Sequence, residues 1–202
     1  MGNILNDLTD GFFPTLGRWQ DRRPLWILGG LWALGLELFS VLYFQEHLGM
    51  LPCEYCVKVR LAMVAIFLGA MVAAICPRLL AAKVVGYAST LSAASWGLHM
   101  SAALEAINLK ALHTPGWFPP CKAGRIDWPL GLRVDAWFPR HFGPQGICGE
   151  DSQWFFLGFS MTQWLVLVYT VMIAGLLMML AAGILARYRA REAALAKAPP
   201  VC

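Results

Sequence analysis

Four apolar runs divide the chain, at about residues 25–45, 57–76, 84–104 and 164–186. Each is close to the roughly 20 residues that a helix needs to cross the hydrocarbon core of a bilayer. Peptide groups inside lipid find no water, so a spanning run must satisfy its own hydrogen bonds, and helix does this. The pattern predicts an all-α membrane protein: a four-helix transmembrane bundle forming one domain over residues 1–202, with two outer loops at 46–56 and 105–161. Arg22 and Arg23 give the first run a basic start like that of a signal peptide. The run exceeds a signal core and no small-x-small cleavage site follows, so a retained anchor is expected.

The polar positions between the runs set the expected orientation. Arg18, Arg22 and Arg23 precede the first run, Arg78 and Lys83 separate the second from the third, and Arg187, Arg189, Arg191 and Lys197 follow the fourth. The positive-inside rule puts these regions, and both termini, in the cytoplasm. The loops at 46–56 and 105–161 then face out. In the long loop, Trp117, Phe118, Trp128, Trp137, Phe138 and Phe142 alternate with prolines. Short amphipathic pieces lying on the membrane surface are expected there.

Composition agrees: 58% of residues are hydrophobic and 14% charged, against about a quarter charged in soluble domains. The net charge of +4 does not suggest nucleic-acid binding, because the basic residues flank apolar runs instead of forming one patch.

The six cysteines sort by side. Cys53 and Cys56 sit at the outer end of the second run, Cys121 and Cys148 in the outer loop, Cys76 at an inner end and Cys202 at the terminus. Outside, disulfides persist. A Cys-x-x-Cys pair by itself reads as a redox centre, half a zinc site or coincidence. Zinc would take two more ligands, which Cys121, Cys148, His113 or His141 could supply, although an oxidising compartment competes for thiolates. For Cys121 and Cys148 alone, a structural disulfide is the plain reading. Two pairs on one face also permit a relay, since a thiolate attacks a disulfide through a mixed disulfide. Arg60 lies four residues past Cys56, one helical turn on and on the same face. There it lowers a thiol's pKa or donates to an acceptor carbonyl; the structural alternative is a snorkelling span anchor. A relay also needs an electron sink. With no haem, flavin or nucleotide signature in the chain, lipid-soluble quinone is the expected acceptor. Glu37 is costly in mid-span and is therefore a functional candidate, or else a neutral bundle residue. His99 is either a packed polar residue or part of the quinone pocket. Trp154 and Trp164 are expected as interface anchors, Cys76 as a buried inert thiol and Cys202 as a dispensable tail residue.

These residues resemble the disulfide bond formation protein B family, DsbB and its relative DsbI, from about residue 36 to 180. The resemblance rests on Leu36-Glu37-Leu38 and Tyr43-Phe44-Gln45 in the first run and on Pro52-Cys53-x-x-Cys56 followed by Arg60. It rests also on Cys121 and Cys148, on Cys148-Gly149-Glu150, and on the stretch from Trp154 through Phe155-Phe156-Leu157-Gly158 to Trp164. It implies a multi-pass protein of the bacterial inner membrane with periplasmic loops. It also implies ubiquinone or menaquinone as cofactor and a periplasmic DsbA-like thioredoxin-fold protein as electron donor. The donor is then expected to attack Cys121–Cys148, Cys53 to exchange with that pair, and Cys56 to face the quinone beside Arg60. Departures at Glu54-Tyr55 and around Cys121 fit a specialised DsbI-like member as well as a housekeeping one. Two other readings stay open: a vitamin K epoxide reductase-like enzyme, whose active pair normally sits late in the chain, and a non-catalytic membrane protein stapled by disulfides.

Overall fold

A computed structural model describes residues 12–114, 116–117, 121, 126, 128, 131–148 and 154–196. Cys202, Gly149-Glu150 and most of the proline-rich stretch around Cys121 lie outside the described residues. Helix α1 is Phe12–Trp19, α2 is Arg23–Phe39, α3 is Glu54–Ile75 and α4 is Leu80–His113. Two single turns follow, α5 (Val134–Trp137) and α6 (Pro139–Phe142). A hairpin of β1 (Phe155–Phe156) and β2 (Phe159–Ser160) then leads into α7, Met161–Ala196.

Three helical segments are long and apolar enough to cross a membrane: Arg23–His47, Glu54–Ile75 and Met161–Arg189. The fourth member of the bundle, α4, has 34 residues and so extends about 51 Å. It is less apolar because its buried face is built from small and hydroxylated residues, including Gly86, Thr90, Ala94, Gly97 and Ser101. Small residues let helices approach closely in lipid, where no hydrophobic force drives them together. A Cβ on Gly97 would lie 2.3 Å from the Tyr169 ring, whose hydroxyl donates to the Val59 carbonyl at 2.8 Å. The glycine therefore lets α7 reach across α4 to α3. Thr90 and Ser101 donate back to the Gly86 and Gly97 carbonyls at 2.7 and 2.8 Å, so the close-packed face leaves neither hydroxyl unsatisfied. Large side chains such as Leu28, Leu31, Trp32, Val171 and Ile184 face outward, as lipid allows.

The start of α7 and the presence of a short first helix depart from the apolar pattern. Ser160 and Gln163 bond reciprocally: Gln163 N–H donates to Ser160 Oγ at 3.2 Å and Ser160 N–H to Gln163 Oε1 at 3.1 Å. This capping box starts α7 at Met161, before the apolar run begins. The short α1 has no counterpart among the apolar runs and packs on the far end of α7, where a Cβ on Gly17 would come within 2.9 Å of Ala186 Cβ. Cys76, expected to be buried, is exposed; it is the non-helical C-cap residue just past the end of α3 at Ile75.

Candidate active site: two cysteine pairs beside an apolar cavity

The Cys-x-x-Cys pair forms the start of α3. Cys53 is the N-cap, with extended backbone, and its sulfur accepts the Cys56 N–H at 3.3 Å. The two sulfurs lie 2.8 Å apart, and both residues are buried, at 0% and 5% exposure. The Cys53 sulfur thus satisfies one of the otherwise unpaired N–H groups at the start of α3. One turn of helix then places Glu54 against Lys58, with Nζ 2.6 Å from Oε1 and both side chains largely buried. This ion pair gives the buried carboxylate between the two cysteines a cationic partner.

The second pair is a disulfide, Cys121–Cys148, with Cα atoms 6.0 Å apart. Cys53, Cys56, Cys148 and Leu104 form one buried cluster, with Tyr55, Ile107 and Cys121 packed against it. The two pairs are thus brought together. Backbone pairing holds them there: Gln145 and Gly146 N–H donate to the Pro52 carbonyl at 2.9 and 3.1 Å. This contact requires glycine, since a Cβ on Gly146 would sit 2.3 Å from the Leu51 carbonyl oxygen. Gly146→Val is expected to push the Cys148 segment off Pro52 and slow exchange between the pairs at least about tenfold, with the bundle still folded. Rapid-quench alkylation of the four cysteines measures this; an unchanged exchange rate would rule out docking as the device that aligns them.

The rest of the outer loop is anchored on α3. Ile126, Trp128 and Val134 bury with Val57. The Trp128 indole donates to Asp135 Oδ1 at 2.9 Å, and Arg133 Nε lies 3.3 Å from the same oxygen. Desolvation opposes ionisation of Asp135, but these hydrogen bonds outweigh it and hold the carboxyl below its ordinary pKa.

Arg60 is 5% exposed, so it is an interior residue and not a snorkelling anchor. Its Nε donates to Ser40 Oγ at 3.3 Å, and its Nη1 donates to Gln45 Oε1 at 2.8 Å and the His141 carbonyl at 3.4 Å. Among the described residues none accepts from Nη2. Ser40 and Gln45 reach Arg60 together because α2 continues as a π-helix, Ser40–His47. In α-winding two residues five apart diverge by about 140°; the i to i+5 bonding of π-winding returns them to one face. Nothing in the hydrophobic pattern signals this change, and sequence reasoning missed both residues.

Arg60, Cys56 and Glu37 line one cavity of about 340 Å³ between α2, α3, α7 and the hairpin. Its walls are otherwise mostly apolar and aromatic, with Phe39, Tyr43, Phe44 and Phe156 among them. Trp154 and Trp164, expected as interface anchors, also line it; Trp154 packs edge-on to Phe44 at 4.9 Å, and Trp164 donates to the Phe156 carbonyl at 3.0 Å. Cys53 does not line the cavity, and neither does His99, which is exposed on α4. A mid-helix position in an apolar run left His99's direction open; the helix turns it away from the site.

A helical membrane bundle that holds a Cys-x-x-Cys pair and a loop disulfide in one buried cluster, beside an apolar cavity, defines a class: the membrane-embedded oxidoreductases of protein disulfides. The family model for the disulfide bond formation protein DsbB matches residues 22–184, and the chain belongs to that family. It is 31% identical over 177 residues to disulfide bond formation protein B of Haemophilus influenzae, covering 88% of this chain and 96% of that one. It is 35% identical over 166 residues to the protein of the same name from Pasteurella multocida, covering 81% and 88%. Protein-disulfide oxidoreductase DsbI of Lelliottia amnigena is 35% identical over 144 residues, which are 68% of this chain and 64% of that relative.

Proposed function

We propose that the chain reoxidises a DsbA-like thioredoxin-fold protein of the periplasm and delivers the electrons to a quinone in the inner membrane. The carrying observation is the double contact of the Cys-x-x-Cys pair: Cys53 and Cys56 both pack in the cluster that holds Cys121–Cys148, and Cys56 also lines the cavity with Arg60. The basic helix ends lie opposite the cysteines, so the positive-inside rule puts both termini in the cytoplasm and the cysteines at the periplasmic face.

The cavity suits a quinone. Its volume falls in the usual range of about 300–1,000 Å³ for ligand pockets. Its aromatic walls match a flat ring, and Arg60 Nη2 offers a donor to a ring carbonyl. A bound quinone would supply the sink for two electrons and two protons. Arg60 orients the ring, and the aromatic walls exclude water. Glu37, buried in the same cavity, sits where a proton is held or released. The donor's thiolate attacks Cys121–Cys148, most directly at Cys121, releasing Cys148 as thiolate; the donor leaves oxidised and the loop pair reduced. A loop thiolate then attacks Cys53–Cys56 at Cys53 and releases Cys56 as thiolate beside Arg60. When the loop disulfide re-forms, the electron pair and two protons reside on Cys53 and Cys56.

The test uses the purified full chain in detergent with a short-chain ubiquinone or menaquinone and a reduced thioredoxin-fold dithiol. Quinone absorbance and donor thiols should fall in step, one quinone per disulfide formed. A protein merely stapled by its disulfides would consume neither, and that outcome would sink the proposal.

A further inference from the structure

The wall of the apolar cavity is also held from outside the cavity. Glu105 on α4 does not line it, yet its carboxylate gathers the side chains that begin α7. Oε1 accepts from Gln163 Nε2 at 3.0 Å, and Oε2 accepts from Thr162 Oγ1 and, at 3.4 Å, from Ser160 Oγ. Ser160 and Thr162 are buried. Among the described residues no cation pairs with Glu105; its partners are two hydroxyls and an amide. Gln163 also accepts the Ser160 N–H through Oε1 at 3.1 Å, so one amide links Glu105 to the cap of the helix. Met161, between Ser160 and Thr162, and Trp164, next to Gln163, line the cavity. Trp164 in turn donates to the Phe156 carbonyl at 3.0 Å, which hangs the hairpin side of the wall on the same junction. Leu104, the position before Glu105 and about 100° around the helix from it, is fully buried in the cysteine cluster. One turn of α4 therefore bears on both the disulfide cluster and the cavity wall.

We propose that Glu105 is a positioning residue for the acceptor side of the reaction: it fixes the junction of β2 and α7, and through it the Met161, Trp164 and Phe156 part of the cavity wall. This rests on the reading of that cavity as the quinone site. The start of a helix is a weak place to build a wall, because its first N–H groups lack intrahelical partners and helix termini open at little cost. A ligand site tolerates little of this, since a misplacement of about 1 Å costs reactivity steeply. Three bonds from the first turn of α7 to one carboxylate on a 34-residue helix remove that freedom. The residue type matters. A carboxylate is acceptor-only and matches three donors, whereas the isosteric amide of glutamine would turn an NH2 towards one of them.

Kinetics of the purified full chain in detergent, with a short-chain ubiquinone or menaquinone and a reduced thioredoxin-fold dithiol, test this. Glu105→Gln should raise KM for quinone about tenfold and leave kcat within about threefold, the pattern of a lost binding geometry. Glu105→Ala should raise KM at least as much. Single-turnover exchange between the donor and Cys121–Cys148, measured without quinone, should stay within about twofold of wild type in both variants; a general loosening of the bundle would slow it too. Adding Gln163→Glu to Glu105→Gln sets an amide donor against a carboxylate again and keeps an acceptor for the Ser160 N–H. That double variant should return KM to within about threefold of wild type, whereas Gln163→Glu alone, with two carboxylates face to face, should raise KM about tenfold or more. Wild-type KM in Glu105→Gln and Glu105→Ala, or a double variant as impaired as the single ones, would overturn the proposal. So would an equal fall in donor exchange, which would make Glu105 a general stabiliser of the bundle. A wild-type chain that consumed no quinone would refute the quinone reading itself, and this proposal with it.

Discussion

Serine in place of Cys56 is expected to lower steady-state oxidation of the donor by quinone by about three orders of magnitude or more, since residues acting as one catalytic unit fail together when one is lost. A hydroxyl cannot close the Cys53–Cys56 disulfide, and Cys56 is the cysteine that lines the cavity. The loop disulfide, Cys121–Cys148, is untouched by the substitution. Mixed with reduced donor, the variant should therefore oxidise one equivalent in a burst and then stop, without reducing quinone. Stopped-flow thiol detection with parallel quinone absorbance distinguishes this from a misfolded protein, which gives no burst. Wild-type turnover in Cys56→Ser would mean that electrons bypass the helix pair, and the relay would be wrong.

The second large effect is expected at Arg60. Arg60→Gln should raise KM for quinone by about 10- to 100-fold, the loss of one or two charge-assisted hydrogen bonds at about 1.5 kcal/mol or more each. Arg60→Lys should recover only part of this. A lysine keeps the charge but not the planar fork, and the fork is what bonds Ser40, Gln45 and the His141 carbonyl at once. Both variants should also lose about 1–3 kcal/mol of stability, because Gln45 and the His141 carbonyl are left without their donor. The decisive readout is selective: quinone KM moves, while the single-turnover exchange between donor and Cys121–Cys148 does not. If both variants kept the wild-type KM, Arg60 would be a structural clamp and the acceptor site would lie elsewhere.

Much of the site was legible in the sequence because it is local. Cys53, Cys56 and Arg60 lie within about two helical turns, so their relation follows from the pitch of the helix once α3 is recognised. Charge placement gave the cysteines their common side, and the apolar runs marked the helix starts to within four residues, although Leu80–His113 and Met161–Ala196 run nine and ten residues past the expected ends at 104 and 186. Even α4, the least apolar helix of the bundle, declared itself by the length of its run; its Gly86, Ala94 and Gly97 spacing shows afterwards why a polar helix packs there. The start of α7 and the end of α2 moved for reasons periodicity does not carry, namely the Ser160–Gln163 capping box and the π-winding after Phe39.

Contacts between elements distant in sequence were not legible. Sequence placed Cys148 outside but gave no means of docking it on Pro52; two backbone hydrogen bonds and the bare Cα of Gly146 do that. Ser40 and Gln45 carry no signature as Arg60's acceptors, because their shared face exists only in the π-helix. Trp154 and Trp164 read as membrane anchors from their residue type, and the segment before the hairpin and the first turn of α7 also bring them into the cavity wall. His99 and Glu37 were indistinguishable as polar residues within apolar runs, and the rotation of each helix against its neighbours separated them. The sequence by itself determined the membrane bundle and singled out the four cysteines as candidates for its chemistry, because hydropathy, charge asymmetry and residue spacing along one helix are properties of the chain. Only the tertiary structure showed that both helix cysteines pack with the loop disulfide and that Cys56 alone of the two also reaches the cavity. Which sulfur meets which surface depends on how α3 is rotated within the bundle, and packing against α2, α4 and α7 sets that rotation.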